Sequence, residues 1–364
     1  MKVLAVSSYG ALGGAELSLG GFLEHRPAHV EASALLIEDG PLRAHLSERG
    51  IPTYAAQGYD GRPTPVQSIQ FTRSLLRLLS HERPDVVWAI GLKAAYMAVP
   101  ACRIAHVPIV WHKVDFSLDA VLTPPLAAVV NGVVSVSESV AVALGPLHRR
   151  RLLAIIGPPV RLPRELHIDP SERPAIGTLA TLSPIKGQHH IVEAAALLSD
   201  EFPDLQVVLA GAPTRDDPGY AQELRELADG LGMGGRLQLL GFVVDVSSVL
   251  ARMTVFVNAT FRDQRGFGRE GLGGAMVEAS WAGLPVVATR GGGAHEGMRD
   301  GVTGTLADPA NPPALAAAIA PYLRDHELAR QTGRAGREFA RTHFSPEALV
   351  PRVFQALERV VTAR

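Results

Sequence analysis

Short apolar runs, rich in β-branched residues, alternate with longer segments of helical periodicity through the first part of the chain. Uninterrupted apolar runs bounded by turn residues are typical of parallel strands that helices cover on both faces. Between two of these runs, Phe71, Leu75, Leu76 and Leu79 recur at helical spacing, which predicts a helix over 66–80 with its apolar face toward the core. The predicted strands of this part are Val3–Val6, Ala32–Ile37, Asp85–Ala89, Pro108–Trp111 and Gly132–Val136.

The alternation pauses in a proline-rich segment, residues 157–170, which we interpret as a linker between domains. It resumes with strands predicted at Pro174–Ala180, Leu205–Gly211, Arg236–Leu240, Thr254–Asn258, Pro285–Thr289 and Gly304–Ala307. From residue 311 onward only helical periodicity remains. The pattern therefore predicts an α/β fold with two doubly wound, Rossmann-like domains, 1–160 and 161–345, and a C-terminal helical tail over 346–364.

Length and charge restrict the function further. The chain has 364 residues, which fits two domains. Its 35 Lys and Arg against 36 Asp and Glu give a net charge of −1, whereas a nucleic-acid-binding protein needs a clear basic excess. We therefore expect no nucleic-acid partner. The single cysteine, Cys102, excludes an internal disulfide and favours a reducing compartment, the cytoplasm.

Membrane and metal sites are not predicted. The longest uncharged stretch, Ala120–Ser137, contains Pro124-Pro125 and Asn131-Gly132, which predict turns instead of a spanning helix. The basic patch over 149–151 is short, so we expect at most peripheral membrane contact and favour a soluble acceptor. The histidines lack metal-ligand spacing and the chain has no Asp-x-Asp, so we expect neither a metal ion nor a cofactor.

Loops that follow predicted strands carry the candidate chemistry, because doubly wound sheets bind ligands at the carboxyl ends of their strands. Gly13-Gly14 precedes a helix and lets the backbone approach a bound group. Lys186-Gly187 places a mobile ammonium beside a helix N-terminus, which suits a diphosphate. Each loop also has a simpler interpretation, a tight turn for the glycines and a solvated surface charge for the lysine.

The segment 267–285 is the most informative part of the chain. Glu278 lies within a predicted helix, 273–282, among apolar residues, where a carboxylate needs donors such as the hydroxyls of a sugar diol. Glu270 precedes that helix, where glycines expose backbone N–H groups. The alternatives are a structural ion pair for Glu278 and a solvated loop position for Glu270. A glycine loop over 291–296 adds a second set of backbone donors.

Together these loops resemble the retaining glycosyltransferases of family 4, which have the GT-B fold. Glu270 and Glu278, with seven residues between them, match the family's E-x7-E signature, and Lys186-Gly187 matches its Lys-Gly pair. Further matches are Gly13-Gly14-Ala15-Glu16, Gly292-Gly293-Ala294-His295-Glu296, His112 and Val136-Ser137-Glu138. The resemblance implies two domains that face each other across a cleft, with the C-terminal helix crossing back to the first domain.

The resemblance also implies roles for single residues. Lys186 would grip the donor diphosphate, Glu278 would hold the nucleotide ribose, and Glu270 would position the donor sugar. His112 would contact that sugar near its reacting carbon, so the implied catalytic residues are His112, Lys186 and Glu270. The other implied donor-binding residues are Gly13, Gly14, Phe242, Val243, Gly271, Leu272 and Gly273.

The activity implied by the resemblance is the transfer of a sugar from a nucleoside-diphosphate sugar, with retained anomeric configuration and without a metal ion. The acceptor would be a small molecule, a glycan or a glycoconjugate. In such a reaction a cation and N–H dipoles stabilise the charge that develops on the leaving diphosphate. The first domain would bind the acceptor and the second domain the donor.

One departure from the family pattern concerns a positive charge. Family members have Arg-Leu a few residues before Lys-Gly, whereas this chain has Thr181-Leu182. Arg262, Arg265 and Arg269 lie on the loop that leads into Glu270. Because a diphosphate in a closed site needs more than one cation, we hypothesise that one of these arginines, Arg269 above the others, turns inward as a replacement.

A second function class fits the same segment. Gly266, Gly268 and Gly271 form a literal G-x-G-x-x-G, and Arg290 ends the next predicted strand, as in an NADP-dependent oxidoreductase. Against it, seven residues separate Asn258 from Gly266, whereas the fingerprint glycine follows its strand directly. A nucleotide-sugar epimerase and an inactive nucleotide-binding protein of the GT-B fold are the remaining alternatives.

Overall fold

The computed structural model describes residues 1–56, 59, 64–116, 119–170, 173–214, 216–262 and 269–363. The chain divides into two compact units. The first unit comprises Met1–Arg161 together with Phe344–Arg364, and the second comprises Leu162–His343. Each unit is built around one parallel sheet, so the predicted α/β fold class with two Rossmann-like sheets is confirmed.

The first unit contains a seven-stranded sheet in the order β3-β2-β1-β4-β5-β6-β7, and each neighbouring pair is parallel. Its strands are β1 (Lys2–Ser7), β2 (Glu31–Leu36), β3 (Thr53–Ala55), β4 (Val86–Ile90), β5 (Ile109–Lys113), β6 (Gly132–Ser135) and β7 (Leu152–Ile155). The central strands are buried on both faces. Their apolar, β-branched sequences fit this environment because helices cover both faces of the sheet.

The helices of the first unit are α1 (Gly14–Glu24), α2 (Pro41–Ser47), α3 (Pro65–Glu82), α4 (Gly91–Ile104), α5 (Asp119–Val129), α6 (Glu138–Ala141), α7 (Gly145–His148) and α14 (Pro346–Thr362). Thr64 begins α3 with a capping box that includes Gln67, and α3 buries Phe71, Leu75 and Leu79 as its periodicity predicts. The C-terminal helix α14 packs on this unit through Phe354, whose ring contacts Trp88 at 6.3 Å.

The second unit contains a six-stranded parallel sheet in the order β10-β9-β8-β11-β12-β13. Its strands are β8 (Ala175–Leu179), β9 (Gln206–Ala210), β10 (Leu237–Leu239), β11 (Val255–Asn258), β12 (Val286–Thr289) and β13 (Gly304–Ala307). Its helices are α8 (Gln188–Leu197), α9 (Tyr220–Gly230), α10 (Val246–Leu250), α11 (Gly274–Ala282), α12 (Pro312–Arg324) and α13 (His326–Phe344). The strands and helices predicted for this part of the sequence are present.

Each sheet has one point at which the direction of winding reverses. In the first unit it lies between β1 and β4, and in the second unit between β8 and β11. The loops that leave the two strands at such a point run in opposite directions and open a crevice at the carboxyl edge of the sheet. The strand order therefore predicts one candidate ligand site in each unit.

The structure differs from the sequence interpretation in three local respects. The edge strands β3 and β7 were not predicted; β3 has only three residues, and both are only half-buried. The prolines Pro124 and Pro125 do not form a turn but lie inside helix α5. The helix tolerates them because the carbonyls that lose their amide donors belong to Ala120 and Val121, which are exposed to water.

Of the helices within the described ranges, none combines the length and the apolar character that crossing a membrane requires.

Candidate functional site

The crevice of the second unit brings together two of the predicted site residues. Lys186 ends a short 3-10 helix, Pro184–Lys186, in the loop that leaves β8, and Glu270 follows β11. These are the two strands between which the winding of the sheet reverses. Lys186 and Glu270 are 84 residues apart in sequence but meet at this point.

Gly187 allows this approach. It is the N-cap of α8 with a φ of +68°, which favours glycine. A Cβ atom at this position would lie 2.2 Å from the carbonyl oxygen of Ala259, just after β11. Because no side chain intervenes, the start of α8 packs directly against the end of β11, and Lys186 is held beside the loop that contains Glu270.

The carboxylate of Glu270 is surrounded by donors. Its Oε2 atom accepts hydrogen bonds from Lys186 Nζ at 3.1 Å, Thr260 Oγ1 at 3.1 Å and Asn258 Nδ2 at 3.3 Å. Burial by itself raises the pKa of Glu270, but the charge of Lys186 and these hydrogen bonds outweigh it, and the net pKa lies below its ordinary value. The site therefore holds an ionised carboxylate next to an ammonium group.

The backbone around Glu270 is fixed by the glycine loop that follows β12. The N–H of Gly293 donates to the carbonyl of Glu270 at 2.8 Å. A Cβ atom on Gly292 would lie 2.1 Å from the same carbonyl oxygen, so only glycine fits there. The glycine loop predicted over 291–296 therefore lies against the backbone of Glu270.

Two helices begin at this crevice without a capping side chain. Gly187 caps α8, and Gly273, with a φ of +93°, caps α11; neither helix start has a side-chain cap hydrogen bond. The first N–H groups of a helix have no partner within the helix and attract anions. Together with the ammonium of Lys186, this arrangement suits a ligand with one or more phosphate groups.

Glu278 lies in the second turn of α11 and is 7% exposed. Its neighbours Val277 and Ala279 are buried as well, as the sequence predicted. The ribose-binding role that the resemblance implies for Glu278 stays a prediction.

Residues 164–339 match the family model described as Glycosyl transferases group 1. This part of the chain is therefore similar to the glycosyltransferase group 1 domain. The chain is 32% identical to the GDP-mannose-dependent alpha-(1-6)-phosphatidylinositol monomannoside mannosyltransferase of Mycolicibacterium smegmatis over 171 residues. The aligned part is 46% of this chain and 44% of that protein. It is also 32% identical to the lipopolysaccharide core biosynthesis glycosyltransferase LpsE of Rhizobium meliloti over 189 residues. Here the aligned part is 52% of this chain and 51% of that protein. The matched part thus spans about half the length of these curated relatives.

The whole chain resembles solved structures. A crystal structure of HepE from Anabaena in complex with UDP and glucose has a TM-score of 0.85 and 24% sequence identity, with 99% of this chain and 100% of that chain covered. At this identity the likeness establishes the fold. Two Rossmann-like sheets with a helical C-terminal region form the GT-B architecture that the sequence predicted.

The loop after β10 carries the residues predicted to border a nucleotide base. The N–H of Gly211 donates to the carbonyl of Gly241 at 2.7 Å and joins this loop to the end of β9. Phe242 is more than half exposed and Val243 is half-buried. Both therefore lie at the carboxyl edge of the sheet, and their contact with a base stays a prediction.

The structure does not turn Arg269 inward. Arg262 and Arg269 expose their side chains, and Arg265 lies outside the described residues. A role for these arginines in donor binding stays a prediction.

The environment of Arg290 argues against the NADP-dependent oxidoreductase alternative. Nη2 of Arg290 donates to Oδ2 of Asp300 at 3.0 Å, and its Nε lies 4.0 Å from Asp308 Oδ1. A guanidinium placed between two carboxylates is poorly suited to a 2′-phosphate. Gly266 and Gly268 of the proposed fingerprint lie outside the described residues.

Gly271 and Leu272 lie in the second unit between Glu270 and the start of α11, whereas Gly13, Gly14 and His112 lie in the first unit. Gly13 is the N-cap of α1, and a Cβ atom on it would lie 2.6 Å from the carboxylate of Glu16, whereas Gly14 has no atom within 4 Å of its Cβ position. His112 is buried and stacks on Trp88 with ring centroids 5.6 Å apart. Burial lowers the pKa of His112 to about 4 against a hydrogen bond to the Ile156 backbone, so the ring is neutral at pH 7.

Sequence reasoning missed several functional groups. Asn258 and Thr260 bind the carboxylate of Glu270, and their position at the carboxyl end of β11 was the available signal. Glu16 is buried as well, and burial raises its pKa to about 7, although a hydrogen bond from its own backbone N–H opposes this rise. From the sequence, Glu16 was identified only as the last residue of the Gly13-Gly14-Ala15-Glu16 motif.

Proposed function

We propose that this protein is a retaining glycosyltransferase that moves a sugar from a nucleoside-diphosphate sugar to a hydroxyl group of an acceptor. The observation that carries the proposal is the contact of Lys186 with Glu270 in the crevice between β8 and β11, beside two helix starts without capping side chains. The group 1 domain over 164–339 supports the reaction class.

The second unit is proposed to bind the donor. Lys186 and the first N–H groups of α8 and α11 bind the diphosphate, since a cation and helix N-termini both favour anions. Glu270 and Glu278 act as the paired glutamates of the E-x7-E signature. Glu270 orients the hydroxyls of the transferred sugar together with the backbone of Gly271–Gly273, and Glu278 accepts hydrogen bonds from the ribose.

The transfer breaks the bond between the anomeric carbon and the diphosphate oxygen. It forms a bond between the same carbon and the acceptor oxygen on the same face of the sugar, so the configuration is retained. The acceptor's proton passes to the departing diphosphate. Lys186 and the helix N–H groups stabilise the negative charge that develops on the diphosphate, which lowers the barrier more than it stabilises the bound donor. We propose that no metal ion takes part.

The names of similar proteins narrow the choice of donor. The mycobacterial relative is named as GDP-mannose-dependent, and HepE structures contain UDP with glucose, and UDP-glucose. We therefore propose that the donor is one of these two nucleotide sugars, and that the first unit binds the acceptor.

A thermal-stabilisation panel tests the proposal. Purified protein is heated with UDP-glucose, GDP-mannose, UDP, GDP or NADPH, each in the presence of EDTA. A ligand that binds the folded protein at 100 times its Kd adds about 2.7 kcal/mol of stability, which is readily measured. We expect a rise in melting temperature with one nucleotide sugar and its diphosphate and none with NADPH. A response to NADPH alone would instead support the oxidoreductase.

A further inference from the structure

The crevice of the first unit contains a cluster that the donor site does not use. Ser8, directly after β1, ties this crevice together, because its Oγ donates to the carbonyl of Ile90 at 3.4 Å and accepts from the N–H of Ala94 at 3.0 Å. The next loop is held by Gly10, whose Cβ position lies 2.4 Å from the backbone nitrogen of Gly40. The loops after β1 and β2 therefore pack backbone to backbone, and the Ser8 side chain joins the loop after β1 to the start of α4.

Lys93 is the centre of this cluster. Its Nζ lies 2.5 Å from Oε1 of Glu38, 5.0 Å from the centre of the Tyr9 ring and 4.6 Å from the centre of the Tyr59 ring. The four residues come from the segments after β1, β2 and β3 and from the start of α4. One ion pair and two aromatic rings thus converge on the crevice where β1 meets β4.

The two tyrosines differ in exposure. Tyr9 is 49% exposed and presents part of its ring to solvent at the edge of the sheet. Tyr59 is 9% exposed, and its hydroxyl has no hydrogen-bond partner among the residues that the structure describes. Burial, the carboxylate of Glu38 and the phenol of Tyr9 together raise the pKa of Tyr59 to about 12, so the hydroxyl keeps its proton at neutral pH. A buried hydroxyl of this kind needs a partner.

The composition of the cluster selects one class of ligand. Lys93 and Glu38 neutralise each other, so the cluster attracts neither an anion nor a cation strongly. A quaternary ammonium ligand needs an aromatic cage that is free to receive it, whereas Lys93 already lies over both rings. A sugar ring has an apolar C–H face for an aromatic side chain and hydroxyls that both donate and accept hydrogen bonds. Tyr9 supplies the aromatic face, and Glu38, Lys93 and Tyr59 supply matching polar groups.

We propose that Tyr9, Glu38, Tyr59 and Lys93 form a subsite for a pyranose ring of the acceptor. The inference rests on the proposed glycosyltransferase function only in naming this ring as the acceptor. The sugar stacks on the exposed part of Tyr9, two of its hydroxyls bridge Glu38 and Lys93, and a third hydroxyl accepts the hydrogen bond of Tyr59. The acceptor is therefore a glycan or glycoside.

Direct binding of simple glycosides tests the subsite without a donor. Methyl α-glucopyranoside and methyl α-mannopyranoside are titrated against the full chain, and binding is followed by saturation-transfer NMR. Tyr9→Ala is expected to weaken binding about fivefold, the loss of one aromatic contact, whereas Tyr9→Trp retains it. The matched control is Ile104→Ala, an exposed apolar residue at the far end of α4, which leaves the affinity unchanged.

Tyr59→Phe tests the hydrogen bond from the Tyr59 hydroxyl to the ligand without changing the packing of the Tyr59 ring. This variant keeps the ring under Lys93 and removes only the buried hydroxyl, so a glycoside that binds this hydroxyl loses about fivefold in affinity. Absence of glycoside binding, or equal affinities for the wild type and Tyr9→Ala, would overturn the proposal. Equal saturation of choline, used as a probe, would overturn it as well, because choline presents no sugar face.

The nucleotide panel keeps the two proposals apart. If the glycosides bind at Tyr9 but neither UDP nor GDP stabilises the protein, the subsite stands and the transferase function fails. If a nucleotide binds but no glycoside does, the subsite fails and the donor site stands. Binding of both, with Tyr9→Ala affecting only the glycosides, supports both proposals.

Discussion

The ammonium of Lys186 lies 3.1 Å from the carboxylate of Glu270, and the two residues come from opposite sides of the point where the second sheet reverses its winding. Both side chains are largely buried, with 27% and 16% of their surfaces exposed. A diphosphate that binds Lys186 competes with Glu270 for the same ammonium group. Because of this competition, substitutions of Lys186 and of Glu270 are expected to have different effects on nucleotide affinity.

Lys186→Ala is expected to weaken the binding of UDP or GDP by about 1–3 kcal/mol, the range for a hydrogen bond to a charged group. Isothermal titration calorimetry measures this loss directly. Arg225→Ala serves as the control, because Arg225 is an exposed cation on α9 of the same unit. Equal affinities for the wild type and Lys186→Ala would show that the diphosphate binds elsewhere.

Glu270→Gln is expected to give the opposite effect on the nucleotide. The amide keeps an oxygen that accepts from Asn258 and Thr260, but it no longer neutralises Lys186. The affinity for UDP or GDP is therefore retained or increased, whereas turnover of the sugar donor falls because Glu270 orients the sugar. Comparing calorimetry with a steady-state transfer assay separates these effects. Unchanged turnover would show that the ion pair of Lys186 and Glu270 only stabilises the fold.

Glu278→Gln is expected to act mainly on nucleotide affinity. An amide oxygen accepts fewer hydrogen bonds from a diol than a carboxylate, so the Kd for UDP or GDP rises while kcat at saturating donor changes little. The same assays apply. A fall in melting temperature without any kinetic change would assign Glu278 to a structural ion pair.

Gly187→Ala is expected to destabilise the protein by about 2–5 kcal/mol. A left-handed backbone costs a non-glycine residue about 1–2 kcal/mol, and overpacking costs about 1–3 kcal/mol more, since the new Cβ lies 2.2 Å from Ala259 O. Urea unfolding measures the loss. Gly235→Ala is the matched control, because no atom lies within 4 Å of its Cβ position. Equal stability of both variants would contradict the close approach.

Glu16→Gln is expected to change how stability depends on pH. Burial raises the pKa of Glu16 from 4.5 to about 7, and the nearby Asp115 adds to this rise. Between these pH values the folded protein binds more protons than the unfolded chain, so the stabilisation present below pH 4.5 is lost as the pH rises to about 7. This rise in pKa corresponds to about 3 kcal/mol.

The measurement compares the free energy of unfolding of the wild type and Glu16→Gln from pH 4.5 to 8. The variant is expected to lack this part of the pH dependence and to gain stability relative to the wild type as the pH rises. Glu31→Gln is the control, because Glu31 is an exposed carboxylate of the same unit. Parallel curves for the wild type and Glu16→Gln would show that Glu16 is ionised in the folded protein at all these pH values.

The sequence alone predicted most of the secondary structure, because apolar periodicity and turn residues act over a few neighbouring positions. The runs that became β8, β11 and β12 and the helix that carries Glu278 follow from this local pattern. The pattern failed where local rules have exceptions. The three-residue strand β3 is too short to show a period, and the prolines of α5 lie where the freed carbonyls face water.

The sequence also identified Lys186 and Glu270 as candidates, but it left open whether they meet. That contact depends on strand order, since β8 and β11 are neighbours in the sheet although 75 residues lie between Leu179, the end of β8, and Val255, the start of β11. The same reason hid the cluster around Lys93, whose partners come from the segments after three other strands. Residue types and spacing determined which loops carry chemistry; only the tertiary structure decided which side chains share one crevice, because parallel strands distant in sequence align their carboxyl ends.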